Sequence, residues 1–420
     1  MFIRFLLIFI LFFNANLFSK EKEKEKEKEK EKEKENIHFT VELIENFEIL
    51  KAKICNNFEI SQKFIPFLQA SNMLIIESSK LKNINGFFFL DSYECIDLKI
   101  DLRKANNHLD QFMTSVIKKN YLAFDPNTFI WLPETQNKQQ IIYFEFIETK
   151  NLSLFFPFEK VDQKYNYHGV YDKKFVSAIL SPNKIDQLTD SLGILYLNTI
   201  NNDLKDKIEA TIISQYSYFD SFFNLKKKFI FLIDKNGLGR EVIPIGLLIR
   251  SPINSIYIKI NQKKISKLNE DATIFHELSH SIIPFLDDTP IWFYEGLATF
   301  YENYYLKMNS KINYQERISF LKLNLKSPSS YSNKKNYYLG EAYFILVDEC
   351  TKKTNDSFHE VWKKKNNLTL AESENFTSLV ANLDSFYKGN CFRKYVDKID
   401  SNFQDFLNDF NDFNTTVTIE

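Results

Sequence analysis

Glycine is scarce, with nine residues in a chain of 420, which leaves little material for the glycine-rich loops that cradle phosphates. No such loop is visible, and nucleotide binding through one is excluded. A surplus of charge is missing as well, because 54 Lys and Arg stand against 55 Asp and Glu. That balance removes the bulk field that would favour nucleic acid or an acidic membrane. Histidine is limited to six residues and cysteine to four. None of the cysteines has C-x-x-C spacing, so zinc held by thiolates is disfavoured. What is abundant is phenylalanine, with 42 residues, in a composition that is 44% hydrophobic and 26% charged. These are the proportions of a globular protein with large side chains in its interior, and the length allows two or three domains.

The N-terminus carries Arg4, then Phe5 to Phe13 without a polar residue, then Asn14, Ala15, Asn16, Leu17, Phe18 and Ser19. The apolar run is too short for a comfortable bilayer span and leads into small residues, so residues 1–19 are expected to be a secretory signal peptide. The protein is then exported, to a periplasm, a cell surface or the medium, with no stable membrane span after signal removal. Residues 20–35 alternate Lys and Glu without interruption. In a helix, like charges would fall four apart and nothing apolar could be buried, so a solvated spacer is expected. Export permits one disulfide in each half, Cys55 with Cys95 and Cys350 with Cys391, out of the three connectivities that four cysteines allow; four reduced thiols are the alternative.

Residues 36–181 hold short apolar or alternating runs: Phe39 to Leu43, Met73 to Ile76, Phe87 to Leu90, Phe129 to Leu132, Ile141 to Phe146 and Leu152 to Phe156. Breakers at Asn85-Gly86 and Asp125 to Asn127 separate some of them, which reads as a β-rich N-terminal domain with a helical insertion near Leu102 to Asn120. His38, His108 and His168 lie far apart there and suggest no chemistry. Residues 182–420 read as mainly helical. From Thr189 to Leu225, apolar positions including Ile208, Ile212, Ile213, Tyr216, Phe219 and Phe222 recur at three and four spacings, as in one or two amphipathic helices. Strands are expected at Phe229 to Ile233 and Ile253 to Ile260. The fold class is α+β.

Chemistry concentrates in His276-Glu277-Leu278-Ser279-His280. Asn269 or Asp271 can cap a helix over about 271–283 that Pro284 ends, which places the motif mid-helix. At 100° per residue, His276 and His280 then project one turn apart on the same face, where two imidazoles can bind one cation with Glu277 beside them. A catalytic zinc needs a third protein ligand and an open position. Thr289-Pro290 reads as an N-cap and first helical residue of a second helix over about 290–305, which carries Glu295. The loop Pro284 to Asp288 reverses the chain, so that this helix can pack back and bring the carboxylate to the metal.

The motif, together with Pro290-Ile291-Trp292-Phe293-Tyr294-Glu295-Gly296-Leu297-Ala298-Thr299-Phe300-Tyr301-Glu302, resembles the gluzincin zinc metallopeptidases. It is most similar to the peptidase MA-like group and more distantly similar to the aminopeptidase N family. The likeness is specific over residues 276–302 and a loose match of order from Thr189 onward. It implies a gluzincin-like domain with a small sheet, one zinc ion held by His276, His280 and Glu295, and hydrolysis of peptide bonds. It also implies that Glu302 supports a ligand histidine from behind. A tyrosine in a Tyr-x-x-Gly context donates to the oxyanion in such enzymes; here Tyr337 is the better match and Tyr338 the fallback, before Gly340. The Gly-x-Met-Glu-Asn stretch that holds a free amino group is absent, its place reading Pro244-Ile245-Gly246-Leu247-Leu248, and the gap from His280 to Glu295 is shorter than in aminopeptidases. The missing stretch counts against an aminopeptidase, and the shorter gap draws the comparison towards the peptidase MA-like group.

With that ligand set, Glu277 is expected to act as general base on a water made acidic by the metal. The strand Ile253 to Ile260 is expected to offer its edge to an extended peptide. Partners are a peptide or protein substrate and no nucleic acid. The competing reading is an exported binding protein without catalysis.

Overall fold

In a computed structural model, the strands and their immediate flanks are described between residues 37 and 181, followed by residues 184–223, 227–249, 254–283, 286, 288–325, 333–353, 358, 375–387 and 389–413. The expected signal peptide and Lys-Glu spacer lie outside the described residues. Contacts divide the chain into two compact units, Met1–Pro182 and Asn183–Glu420.

The first unit is built of strands, arranged in one seven-stranded and two four-stranded sheets among the described residues. In the larger sheet, Ile37–Ile44 pairs antiparallel with Ile49–Asn56 and parallel with Gln140–Ile147. Ile96, Leu98 and Ile100 are buried on one side of Cys95–Asp101, the period of two that a strand with one covered face requires. Cys55 and Cys95 are register partners there and form a disulfide. Most of the expected helical insertion, residues 102–115 and 118–120, lies outside the described residues. Val116–Ile117 within it is a short strand paired with Leu122–Phe124; two β-branched residues beside a neighbouring strand satisfy their backbone in a ladder instead.

The second unit carries one sheet of five strands: β1 Asp186–Thr189, β2 Leu192–Tyr196, β3 Phe229–Asp234, β4 Ile245–Ile249 and β5 Asn254–Lys259. Their order is β1-β2-β3-β5-β4, with β2, β3 and β5 parallel and β1 and β4 antiparallel at the two edges. Helix α1, Asn202–Phe223, is the crossover between β2 and β3. From Thr189 to Phe223 the chain is therefore the end of β1, strand β2 and one helix, not one or two helices throughout. The helical pattern is genuine only from Ile208, where Ile208, Ile212, Tyr216, Phe219 and Phe223 are buried. Leu192 and Ile194 belong instead to a strand buried on both faces, whose continuous apolar run imitates a helix face.

Two strand expectations change. Within the expected strand 253–260, residues Asn254–Lys259 form the interior strand β5, flanked by β3 and β4, so it has no free edge to offer a peptide; Ile253 lies outside the described residues. The edge strand next to it is β4, whose short apolar run holds a proline and a glycine that mask its strand pattern.

Beyond the sheet the unit is helical: α2 Thr273–Ser279, α3 Ile291–Met308, α4 Tyr314–Leu325, α5 Asn333–Lys352, α6 Phe376–Tyr387, α7 Cys391–Ser401 and α8 Phe403–Asp412. The architecture is α+β, a unit of strands followed by a mainly helical unit with a small sheet. No helix among the described residues is long and apolar enough to cross a membrane.

A second disulfide, Cys350–Cys391, ties the end of α5 to the start of α7 across 41 residues. Both bridges are consistent with an exported protein. Closing a loop of that length restricts the unfolded chain, so replacing Cys350 and Cys391 by alanine is expected to cost about 2–4 kcal/mol. A fall in the urea midpoint with unchanged far-UV circular dichroism would register it.

Candidate metal centre

The first turn of α2 is held from outside. The Asp271 carboxylate accepts from Thr273 N–H at 2.9 Å and Ile243 N–H at 3.3 Å. Gln215 of α1, buried, accepts from Phe275 N–H at 2.9 Å and donates to the Asp271 carbonyl at 2.7 Å. The N-cap position itself is Ala272, and of the two expected cap residues only Asp271, just before it, reaches the first turn; Asn269 lies in a 3-10 turn, Gln262–Glu270, ahead of the helix.

Helix α2 is shorter than the expected 271–283 and ends at Ser279, with His280 as its C-cap. After it the hydrogen bonds tighten to three-residue spacing, from Ser281 N–H to the Leu278 carbonyl and from Ile282 N–H to the Ser279 carbonyl, a common way to satisfy the last carbonyls. His280 keeps right-handed helical torsions, so the two imidazoles remain one turn apart, with centroids separated by 4.9 Å. Helix α3 begins at Ile291 with Pro290 as N-cap, one residue later than read from Thr289-Pro290, and continues to Met308.

Glu295 and Glu302 are seven residues apart, two turns of α3, and therefore share a face. That face meets α2. Glu295 Oε2 lies 3.3 Å from His276 Nε2 and 3.4 Å from His280 Nε2. Glu302 Oε2 lies 3.0 Å from the other ring nitrogen of His276, Nδ1. Ligand atoms of His276, His280 and Glu295 all fall within 4.8 Å of one another.

Electrostatics favour a cation at this point. Burial alone would lower the His276 imidazole, but the Glu295 and Glu302 carboxylates outweigh it and raise it well above its ordinary value. Burial alone would raise Glu295, yet His276 and His280 hold it far below the usual carboxylate range. Glu277 is raised by burial, against the pull of His280 and His276. Three carboxylates thus face two imidazoles, and two imidazole nitrogens with one carboxylate oxygen are a donor set suited to zinc.

Tyr337 and Tyr338 go to different places. The Tyr337 ring stacks near His276, with centroids 6.0 Å apart, and burial together with the Glu295 carboxylate pushes its hydroxyl well above its ordinary value. It is therefore a proton-bearing donor at neutral pH. Tyr338 packs instead against Phe320 and the Arg317 guanidinium, away from the imidazoles.

Tyr337 is carried by α5, which crosses α3 glycine on glycine. A Cβ on Gly296 would stand 2.2 Å from Gly340 Cα, and one on Gly340 only 1.8 Å from the Trp292 carbonyl oxygen. A buried network locks the same pair: Asn303 of α3 donates to Glu341 of α5 at 2.8 Å, and Arg317 of α4 donates to both oxygens of Glu341.

Residues not singled out in the sequence also shape the centre. Tyr294 stacks on His280, with centroids 4.5 Å apart and planes 13° from parallel. In a chain with 21 tyrosines no single one carries a sequence signal of its own. A stacked ring restricts the imidazole plane, as outer partners of metal ligands do. Tyr294→Leu is expected to weaken zinc binding about tenfold, and Tyr294→Phe to keep it, in a competition titration with a chromophoric chelator.

No family model and no curated protein matches the sequence. Among solved structures, the chain is similar to an M1 zinc metallopeptidase from Deinococcus radiodurans and to a point mutant of that enzyme bound to a Tyr-Ser-Ala substrate. Each match has 10% sequence identity and a TM-score of 0.48, and covers 85% of this chain and 91% of the other.

Proposed function

We propose that the chain is an exported zinc metallopeptidase that hydrolyses peptide bonds. The observation that carries this reading is the convergence of His276, His280 and Glu295 within 4.8 Å, with the buried carboxylate of Glu277 on the same short helix. One zinc ion held by those three residues would supply Lewis acidity towards a peptide carbonyl and towards water.

The chain's own residues then have separate tasks. Glu277 accepts the proton of the attacking water and passes it to the leaving amine nitrogen. Tyr337, kept protonated, donates a hydrogen bond to the oxygen of the attacked carbonyl as negative charge grows there. Glu302, at 3.0 Å from His276 Nδ1, fixes the tautomer that leaves Nε2 free for the metal. An extended substrate would add along the outer edge of β4 beyond the Leu248 N–H that Glu277 accepts from, through backbone hydrogen bonds that read little of its side chains. Residues 1–19 serve as the export signal and residues 20–35 as a spacer.

The test is metal analysis of the purified chain, followed by incubation with a mixed peptide library and mass analysis of the products, with and without a chelator. About one equivalent of zinc and chelator-sensitive cleavage are expected. Zinc without any cleavage would turn the reading to a binding protein, and a metal-free chain that takes up no added zinc would overturn it altogether.

A further inference from the structure

The Glu277 carboxylate does not hang free beside the metal-binding residues; it leans on the edge strand of the sheet. Its Oε2 accepts from Leu248 N–H of β4 at 2.9 Å. A strand N–H given to a side chain is not given to the neighbouring strand, so Leu248 faces the free edge of β4 and not β5. Gly246, two residues earlier, shares both the direction of its backbone groups and the face of its Cα–H bonds.

At Gly246 there is no room for a side chain, and what fills the room is the carboxylate itself. A Cβ there would stand 2.7 Å from Glu277 Oε1, 2.8 Å from its Cγ and 3.0 Å from its Cδ. The left-handed region is not the reason for this glycine; among the described glycines only Gly239 has a positive φ. We propose that Gly246 is a positioning residue, whose missing side chain lets the Glu277 carboxylate seat against strand β4 and hold the Leu248 N–H.

The reason lies in what would yield. Backbone strand and helix are fixed by the sheet and by α1, whereas the glutamate is the movable partner. An alanine at 246 would displace the carboxylate and leave the fold in place. A displacement of about 1 Å is enough to lower a proton-transfer rate on the order of a hundredfold. The three atoms nearest such a Cβ all belong to Glu277 and none to His276, His280 or Glu295, so metal content should be indifferent to the change.

This inference rests on the proposed peptidase reading for its kinetic consequence, but not for its structural one. In Gly246→Ala we expect wild-type zinc content, kcat reduced about tenfold to a hundredfold and KM changed less than threefold. Retention of wild-type kcat would overturn the proposal. The structural arm compares melting temperatures of Gly246→Ala with and without Glu277→Ala. Alanine for glycine in a strand ordinarily stabilises through the unfolded chain, so Gly246→Ala should raise the melting temperature in the Glu277→Ala background and lower it, or fail to raise it, when Glu277 is present. Equal effects in both backgrounds would overturn the contact. If Gly246→Ala alone does not fold, folding of the double variant supports the proposal and its failure refutes it. A wild-type chain that binds zinc but cleaves nothing would defeat the peptidase reading alone, leaving the melting comparison to decide the role of Gly246.

Discussion

Replacing Glu277 by glutamine is expected to lower peptide hydrolysis by about a thousandfold while leaving one equivalent of zinc bound. The glutamine carbonyl oxygen can still accept from Leu248 N–H, which the glutamate does at 2.9 Å, so the shape of the centre survives. What is lost is the capacity to take a proton from water. The three residues that converge on the metal position, His276, His280 and Glu295, are untouched, and KM should change little because the uncatalysed contacts to substrate remain. Initial rates and metal analysis on the same preparation decide it. Undiminished hydrolysis would remove Glu277 as the base, and loss of zinc would assign it a role in holding metal.

Gly340→Ala should act on a larger scale than its single methyl group suggests. In an exposed helix interior this exchange stabilises by up to about 1 kcal/mol. Here the added Cβ would lie 1.8 Å from the Trp292 carbonyl oxygen and 2.4 Å from Gly296 Cα, both backbone atoms that cannot rotate away. Helices α3 and α5 must separate, at a cost of about 3 kcal/mol or more, a fall of roughly 6–12 °C in melting temperature for a unit of this size. Since α3 carries Glu295 and α5 carries Tyr337, activity should decline beyond what lost stability explains. Thermal unfolding followed by near-UV circular dichroism, with rates measured well below the transition, separates the two effects. An unchanged or raised melting temperature would mean that the glycine crossing is looser than described.

The legible parts were local ones. His276 and His280 could be placed on one face because helical spacing depends on neighbours in sequence, and their one-turn separation holds even though α2 stops at Ser279. Glu295 was legible because Thr289-Pro290 announces a second helix, and its start differs from expectation by a single residue. Parallel strands buried on both faces were harder. Leu192–Tyr196 is buried throughout, so it shows no alternation and was absorbed into a helix pattern. Strand β4 escaped for a related reason: Gly246 weakens the strand signal, although a glycine inside an apolar run of a chain with only nine glycines was itself a sign of close approach.

By itself the sequence determined the α+β class, the pair of imidazoles one turn apart on a helix, the carboxylate two turns from Glu302 on the next helix, and the chemistry those donors can support. It did so because helix periodicity, capping and donor type are properties of short stretches of chain. Only the tertiary structure decided which of two adjacent tyrosines turns to His276, which strand has the free edge, and what holds Glu277. Those answers depend on the crossing of α3 and α5 at Gly296 and Gly340 and on the pairing of β4 with β5. Both are contacts between segments distant in sequence, and no spacing within either segment encodes their register.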